Sequence, residues 1–584
     1  RSTSCGTLFP YTTLFRSRQL MQDKNLSFKA AKEVVASSTV FTTHTPVPAG
    51  NDVFPLPLID KYFNNYWGQL GINRHEFLDL GLKVGDHQNF NMTVLALNLS
   101  GRKNGVSKLH GAVSRDIYSS VWPGIPKEDI PITHITNGIH TLTWLSPNIK
   151  ALYDKHLENE WDKKIYEKHV WDKVDDIPDS DLWDVHCFLK KKMIEFVREK
   201  IKAQYASNGV SPEKINEVEK ILDPDALTIG FARRFATYKR ATLIFRNLAR
   251  IQKIFNNENR PVQIIFAGKA HPADRPAHEV IKHIHDIAKQ EGFIGKVVLV
   301  ENYNMTLARN MVQGVDVWLN NPRRPLEASG TSGQKVCING IINFSILDGW
   351  WCEGYNGKNG WAIGSNMNYD NEELQDNADS ESIYNILENQ IVPLFYERDE
   401  NNIPVKWVKK MKESIKSISY KFSTDRMVQE YTNMMYLPCM KRFDYITENN
   451  YNHAIELSEW KSFIERNWSN VKLSPEKSMN TLKQLKSTTN EKLTLSVSLY
   501  PADLNPADLK VELYYGIVGQ DNIIENPQTI EMEFLKEDSS GICYYSADFN
   551  LYEGGEYGYT FRVIPNYKYL INKFEMGLIK WVVQ

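Results

Sequence analysis

Three runs in this sequence bring charged, nucleophilic and small residues close enough together to do chemistry. The first is ARRFATYKR at 232–240, where Arg233, Arg234, Lys239 and Arg240 put four cations within eight residues, directly after an apolar run. Arginine forks match planar oxyanions and lysine supplies a point charge, so the run suits a phosphate-like group. A helix is expected to open near Arg240, adding N-terminal N–H groups to the same place. A solvated basic helix start explains the composition equally well. The second run is RRPLEASGTSGQK at 323–335. Gly330 and Gly333 let backbone approach a ligand, Ser329, Thr331 and Ser332 supply hydroxyls, and a helix is expected to start near Gly333. Lys335 is the one ammonium of this small-residue loop. Such a lysine forms a Schiff base if burial or neighbouring cations depress its pKa; it serves equally as a plain phosphate ligand or a surface residue. The third run, LDGWWCEGYNGKNGW at 347–361, interleaves aromatics with Asp, Glu, Asn and Gly. It reads either as a platform for a sugar ring or as a core tryptophan pair beneath a turn-rich loop.

The surrounding pattern says what must hold these runs. Short apolar stretches at 226–232, 262–268, 296–300, 315–319 and 337–344 alternate with helical spacing at 240–255, 278–290 and 306–313. Near-continuous apolar strands with helical crossovers predict a parallel sheet covered on both faces, with ligands bound beyond the strand C-termini. Upstream, 28–35 has helical spacing and 38–43 reads as a strand running into the loop HTPVPAGND at 44–52. A long amphipathic helix is expected over 181–205. From 493 onward, period-two runs (Leu493 to Leu499, Leu509 to Tyr515, Ile530 to Phe534, Tyr557 to Val563) predict an antiparallel β-sandwich. Residues 1–17 have neither period and lack the apolar core of a signal peptide, so they are expected to be a non-native leader.

Bulk properties narrow the function classes. A formal net charge of −2 over 584 residues leaves no field to gather nucleic acid or an anionic membrane. No apolar stretch approaches the ~20 residues that span a bilayer. The six cysteines are scattered without metal-type spacing, which argues against a zinc site or disulfide framework and for a cytoplasmic setting.

Together the runs FTTHTPVPAGNDVF, NGVSKLHG, ITNGIHTLTWLSP, GFARRFATYKR, FAGKAHPAD, LVENYNMTLA, PLEASGTSGQK and DGWWCEGYNGKNGWAIG closely resemble the α-glucan phosphorylases, in their shorter bacterial and archaeal branch. The resemblance implies an α/β fold of GT-B type: two facing Rossmann-like domains, here with the first incomplete, followed by the sandwich. It places the remaining N-terminal unit at 18–145, the C-terminal cofactor-binding unit at 146–440, a helical segment at 441–485 and the sandwich at 486–584. It implies phosphorolysis of α-1,4-glucans, releasing α-glucose 1-phosphate with retention, with inorganic phosphate as co-substrate and pyridoxal 5'-phosphate bound through Lys335. The cofactor's phosphate would act as a proton relay beside the substrate phosphate. Arg234 and Lys239 would bind substrate phosphate; Arg233, Thr331 and Ser332 the cofactor phosphate; and Tyr303 the cofactor ring. His44 would meet the glucosyl unit at the reaction centre, Asn137 its 6-hydroxyl, and Tyr238, Glu327, Ser329 and Gly330 the other hydroxyls. A homo-oligomer is compatible with the resemblance, and no metal is implied.

Three departures stand out. Gly333-Gln334 replaces Asn-Met before the lysine, Arg233 replaces a lysine, and the glycine-rich phosphate loop of the first domain has no counterpart. The chain is therefore expected to be N-terminally truncated and to lack full activity. Two rivals remain at this level. A glycogen or starch synthase would carry a glutamate eight residues after Glu327, where this chain has Lys335. An inactive glucan-binding protein would need no cofactor.

Overall fold

The computed structural model describes residues 11–475, 485–487, 492–519, 523–550 and 555–582. In its N-terminal part, β1 (Val40–Thr42), β2 (Arg102–Gly105) and β3 (Thr133–His134) pair in parallel in that spatial order. The larger sheet comprises β4 (Leu227–Ala232), β5 (Val262–Ala267), β6 (Val297–Val300), β7 (Val317–Asn320), β8 (Ile342–Ile346) and β9 (Gly360–Ile363). β4, β5, β7 and β8 are buried at every position, as a sheet sandwiched between helices requires. All six strands are parallel, in the order β9-β8-β7-β4-β5-β6. Strand order reverses between β4 and β7, so their C-terminal ends flank the crevice where doubly wound sheets bind ligands.

One buried ion cluster anchors this sheet to the long helix Asp179–Ser207. Asp316, at the foot of β7, meets His186 Nε2 at 2.7 Å and Lys190 Nζ at 2.6 Å, and it accepts the Thr228 N–H at 2.7 Å. Burial pushes its carboxyl pKa up, but Lys190 and His186 outweigh that and hold it below the usual carboxylate range. Its contribution to stability is therefore present above the ordinary aspartate value and lost as pH falls through the lower folded one. Replacing Asp316 with alanine strands Lys190 in the core. The expected cost is about 3–5 kcal/mol, read as a lower urea midpoint; an unchanged midpoint would mean that the cluster contributes no net stability.

The last third of the chain returns to the first. The helical stretch Leu437–Asn467, broken by non-helical backbone at Glu448, Asn449, Asn450 and Tyr451, packs Ile446 from before the break and Ala454 and Leu457 from after it against Leu26, Ala30, Ala31 and Val34. Two antiparallel sheets follow. One contains Lys472–Pro475, Lys492–Tyr500, Cys543–Asn550 and Glu533–Glu537; the other contains Leu485–Ser487, Gly555–Pro565, Leu509–Val518 and Ile524–Glu531. They face each other across a core that includes Val497, Leu499, Val511, Leu513 and Phe561.

Several expectations change. The helix expected to reach residue 485 ends at Asn467, and Lys472–Pro475 already belongs to the sandwich. Ile530 and Phe534 do not share a strand: the chain crosses between sheets at buried Met532. The apolar run from residue 337 is a helix end and a turn before β8 begins at Ile342. A helix, Tyr11–Lys24, runs through the limit set at residue 17, with Leu14 fully buried beside Phe28, Ile59 and Phe77. With so few inward-facing apolar residues, that segment has no detectable period.

Candidate active site

The basic run leaves the C-terminal end of β4, and its path is fixed by hydrogen bonds rather than by a helix. Arg233 N–H donates to Ala267 O at 3.1 Å and Phe235 N–H to Lys269 O at 2.9 Å. A short 3-10 turn at Thr237–Lys239 follows, and Arg240 adopts a left-handed φ of 48°. The expected helix near Arg240 is absent; the next α-helix starts at Leu248. Arg240 is also withdrawn from ligand duty. Its guanidinium donates to Asn321 O, Pro322 O, Asp376 and Asp379, tying the turn to the loop after β7.

The remaining cations converge on one carboxylate. Arg233 Nη2 lies 2.6 Å and Lys239 Nζ 2.9 Å from Glu327 Oε2, all three side chains being about nine-tenths buried. Arg233 also bonds Asn320 at the end of β7. Burial, then the Arg233 charge, pulls the Lys239 ammonium down to about 8 despite Glu327. Burial pushes the Tyr238 hydroxyl up to about 12, and the Lys239 ammonium lies 5.0 Å from the Tyr238 ring centre. Arg234 is exposed and forms no ion pair among the described residues. Tyr303 is half-buried; burial raises its hydroxyl pKa and the Arg233 charge opposes this, which places the two near one another.

Glu327 is aimed by its own loop. Its N–H donates to Asp348 Oδ2 at 3.0 Å, and Asp348 Oδ1 takes the Gly349 N–H at 2.8 Å. Burial pushes Asp348 up to about 7, with the Glu327 charge adding to it. Gly349 must be glycine, because a Cβ there would lie 2.4 Å from Ser329 O. Gly330, at φ +79°, lies against Glu327, where an added Cβ would stand 3.1 Å from its Cγ. The helix Ser332–Cys337 then presents Lys335, whose N–H donates to Thr331 O at 3.3 Å. Ser332 Oγ accepts from Trp318 Nε1 at 3.2 Å. The Lys335 ammonium stands 4.0 Å from the Trp144 ring centre, and among the described residues no carboxylate pairs with it. Burial lowers its pKa, which favours the neutral amine that attacks a carbonyl.

Asn137 reaches this loop from the N-terminal half: its C=O accepts from Gln334 Nε2 at 3.0 Å, one residue before Lys335. His44 follows β1 and is exposed, with no hydrogen bond or ion pair to the other site residues. Residues not foreseen hold the two halves together. Ser107 Oγ donates to Ala328 O at 2.6 Å. The Glu353 carboxylate accepts from Lys108 N at 2.8 Å and from Thr136 Oγ1 at 2.8 and 2.9 Å. Both lie inside runs already singled out, NGVSKLHG and DGWWCEGYNG, but their partners are over two hundred residues away. Of the two readings of the third run, the core tryptophan pair is the one the structure shows: Trp350 and Trp351 are fully buried and Trp361 nearly so, all within the main core, so their ring faces are not available to a ligand.

The site fits an anionic, polar occupant. Arg233 Nε and Ser329 Oγ are buried without a hydrogen-bond partner, an arrangement that folding alone would penalise by about 1–3 kcal/mol each.

Comparison with known proteins gives the class. Residues 14–356 match the carbohydrate phosphorylase family model, and residues 468–583 match the glycogen phosphorylase C-terminal domain. The chain belongs to the carbohydrate phosphorylase family. It is 41% identical to the maltodextrin phosphorylase of Thermococcus litoralis, over 96% of this chain and 64% of that protein. It is 36% identical to the glycogen phosphorylase of Mycobacterium bovis, over 97% of this chain and 65% of that protein. It is 44% identical to the glycogen phosphorylase of Aquifex aeolicus, over 72% of this chain and 60% of that protein. The chain thus spans just under two thirds of the length of these curated relatives. No helix among the described residues is long and apolar enough to cross a membrane.

Proposed function

We propose that this chain transfers the terminal glucosyl unit of an α-1,4-glucan to inorganic phosphate with retention, releasing α-glucose 1-phosphate. The observation that carries the reading is the meeting of Arg233 and Lys239 on Glu327, in the same loop that presents an unpaired Lys335. Lys335 would hold pyridoxal phosphate covalently, with Tyr303 against its ring and Arg233, Thr331 and Ser332 on its phosphate. When bound, that group supplies an acidic phosphate that exchanges a proton with the substrate phosphate. Arg234 and Lys239 would bind the substrate phosphate. Two adjacent phosphates repel, so fixed cations around them supply the stabilisation that water cannot. His44, Asn137, Tyr238, Glu327, Ser329 and Gly330 would orient the glucosyl ring through its hydroxyls, and hydrogen bonds that tighten as the anomeric carbon gains charge favour the transition state.

The same reading assigns the parallel sheets at 18–145 and 146–440 to the two facing units of a GT-B enzyme and residues 486–584, with Lys472–Pro475, to an accessory sandwich. The described cysteines Cys187, Cys337, Cys352, Cys439 and Cys543 are all unpaired, which supports a cytoplasmic setting. The nucleotide-sugar alternative is not favoured, since the matched relatives are phosphorylases.

The test is incubation with pyridoxal phosphate, then borohydride reduction and peptide mass mapping, alongside phosphate-dependent release of glucose 1-phosphate from maltoheptaose. A pyridoxyl adduct on Lys335 is expected; an adduct on another lysine only, or none, overturns the assignment. A pH dependence also follows. The Lys239 ammonium, held down to about 8, loses its proton as pH rises through that value. Affinity for phosphate should then fall by up to about tenfold per pH unit, and Lys239→Arg should remove that limb. A phosphate KM that stays flat from pH 7 to 9.5 would remove Lys239 from the phosphate site.

A further inference from the structure

The three strands of the small parallel sheet end side by side, and segments of the proposed sugar site leave from those ends. Thr42 pairs with Asn104, and Asn104 with Thr133. Thr43 N–H continues the pairing by donating to Asn104 O at 3.0 Å, so His44 and Thr45 emerge beside Val106. On the other side, Asn137 N–H donates to Val106 O at 3.0 Å.

His110 lies beneath this junction, and no role has yet been given to it. It stands in the first turn of the helix Lys108–Ile117, which folds back on β2 so closely that a Cβ at Gly105 would lie 2.8 Å from Gly111 N. The residue is 2% exposed. Its backbone N–H donates to Ser107 Oγ at 3.1 Å, and that hydroxyl donates in turn to Ala328 O in the Glu327 loop. Its ring Nδ1 accepts the Val106 N–H at 3.2 Å. A ring nitrogen that accepts an N–H carries no proton, so the proton of the neutral imidazole is on Nε2. Burial pulls the ring's pKa down to about 4, with the Thr45 carbonyl opposing the fall and the His44 charge adding to it, so the ring is neutral at pH 7.

Since Nδ1 is turned to Val106, the Thr45 carbonyl meets the Nε2 edge. Nε2 is buried and has no partner at full hydrogen-bond geometry among the described residues, and the Thr45 C=O accepts no other hydrogen bond among them. A buried donor left open bears its whole desolvation cost, and this carbonyl is the acceptor at hand. Thr45 is also the foot of its loop. Its Oγ1 accepts the Val47 N–H at 3.2 Å, and a Cβ at Gly50 would lie 2.2 Å from its Cγ2.

We propose that His110 is a positioning residue of the sugar site: its Nε2–H holds the Thr45 carbonyl, and with it the angle at which His44 faces the glucosyl unit. The role of His44 rests on the phosphorylase reading; the hold on Thr45 does not.

The test separates the two ring nitrogens. His110→Asn keeps an acceptor at the Nδ1 position and removes the outer donor, whereas His110→Gln keeps a donor at the Nε2 position. Hydrogen exchange is followed by mass spectrometry in the full chain over residues 38–52 and 104–118, with the helix Arg275–Ala288 as control. His110→Asn should exchange about tenfold faster over 43–51, the scale of one lost hydrogen bond, with the control unchanged. His110→Gln should exchange there at the wild-type rate. Wild-type exchange over 43–51 in His110→Asn would assign the ring to Val106 alone and overturn the proposal. Faster exchange in the control as well would make the ring a packing residue, with the same consequence. In the cofactor-loaded chain, His110→Asn should lower kcat for phosphorolysis of maltoheptaose by about tenfold, and His110→Gln should restore it. The phosphate KM should not move, because Arg234 and Lys239 follow β4 of the larger sheet; a KM that rises as kcat falls would mean general damage and count against a positioning role. A wild-type chain without phosphorolysis would count against the phosphorylase reading, while the exchange rates still decide whether His110 holds Thr45.

Discussion

Lys335→Ala should leave a folded chain that no longer retains pyridoxal phosphate through reduction and desalting. Its phosphorolytic rate should fall by about 10³-fold or more, the scale on which removing a covalent anchor acts. The fold should survive because the lysine is only half-buried and its head group touches a single ring, that of Trp144. Lys335→Arg sharpens the result: it keeps the cation over Trp144 but supplies no attacking amine. Fluorescence of the reduced pyridoxyl group reports both variants. Covalently retained cofactor in either would show that another lysine holds it, and the roles assigned to the 327–335 loop would then fail together.

Glu327→Gln should produce the second large effect, and it is an effect on stability as well as on sugar contact. Among the described residues the glutamate is the single counter-ion of two buried cations, and burial, which raises its pKa, is outweighed by Arg233 and Lys239, so the group is charged in the folded chain. The amide leaves both cations uncompensated, with an expected loss of about 3–5 kcal/mol. Phosphate should restore part of this by taking the carboxylate's place, about 2.7 kcal/mol at a hundred times its dissociation constant. The measurement is the melting temperature with and without phosphate, against sulfate-free buffer. Equal melting temperatures for the two chains would mean that Glu327 does not neutralise the cluster. A variant destabilised but insensitive to phosphate would mean that the cations face away from the phosphate site.

These expectations rest on features that differ in how far the sequence reveals them. β4 to β7 are legible because a strand covered on both faces is mostly apolar, and Ala226 to Ala232 is that pattern; the start of β8 is not, because the helix end from Cys337 is as apolar as the strand that follows it. The turn at Thr237–Lys239 is not legible. The run that follows has helical spacing, and what breaks it is tertiary: Arg240 is drawn to Asn321 and Pro322 carbonyls and to Asp376 and Asp379. The tryptophans of the third run show a different limit. Composition alone cannot say whether an aromatic in a Gly-rich loop faces a ligand or the core, and Trp350 and Trp351 face the core. The resemblance implies that Arg233, Lys239 and Glu327 share a site, but not that they form direct ion pairs, since nothing local sets a distance across 94 residues. Glu353 sits in the third run with no role that its neighbours in sequence reveal, because its carboxylate joins the two halves at Lys108 and Thr136.

The contact between Glu33 and Lys461 links residues 428 positions apart, and Glu575 closes on the same ammonium. At roughly 5–20 residues per second, the ribosome would deliver the helix Phe28–Ser37 about twenty seconds to a minute and a half before its partner helix. During that wait Ala30, Ala31 and Val34, fully buried in the finished protein, lack the Ile446, Ala454 and Leu457 side of their packing and have only the helix Tyr11–Lys24 beside them. The first third of the chain therefore emerges with an apolar face that only the last third covers, and that face is the expected place for a chaperone to hold the chain during synthesis.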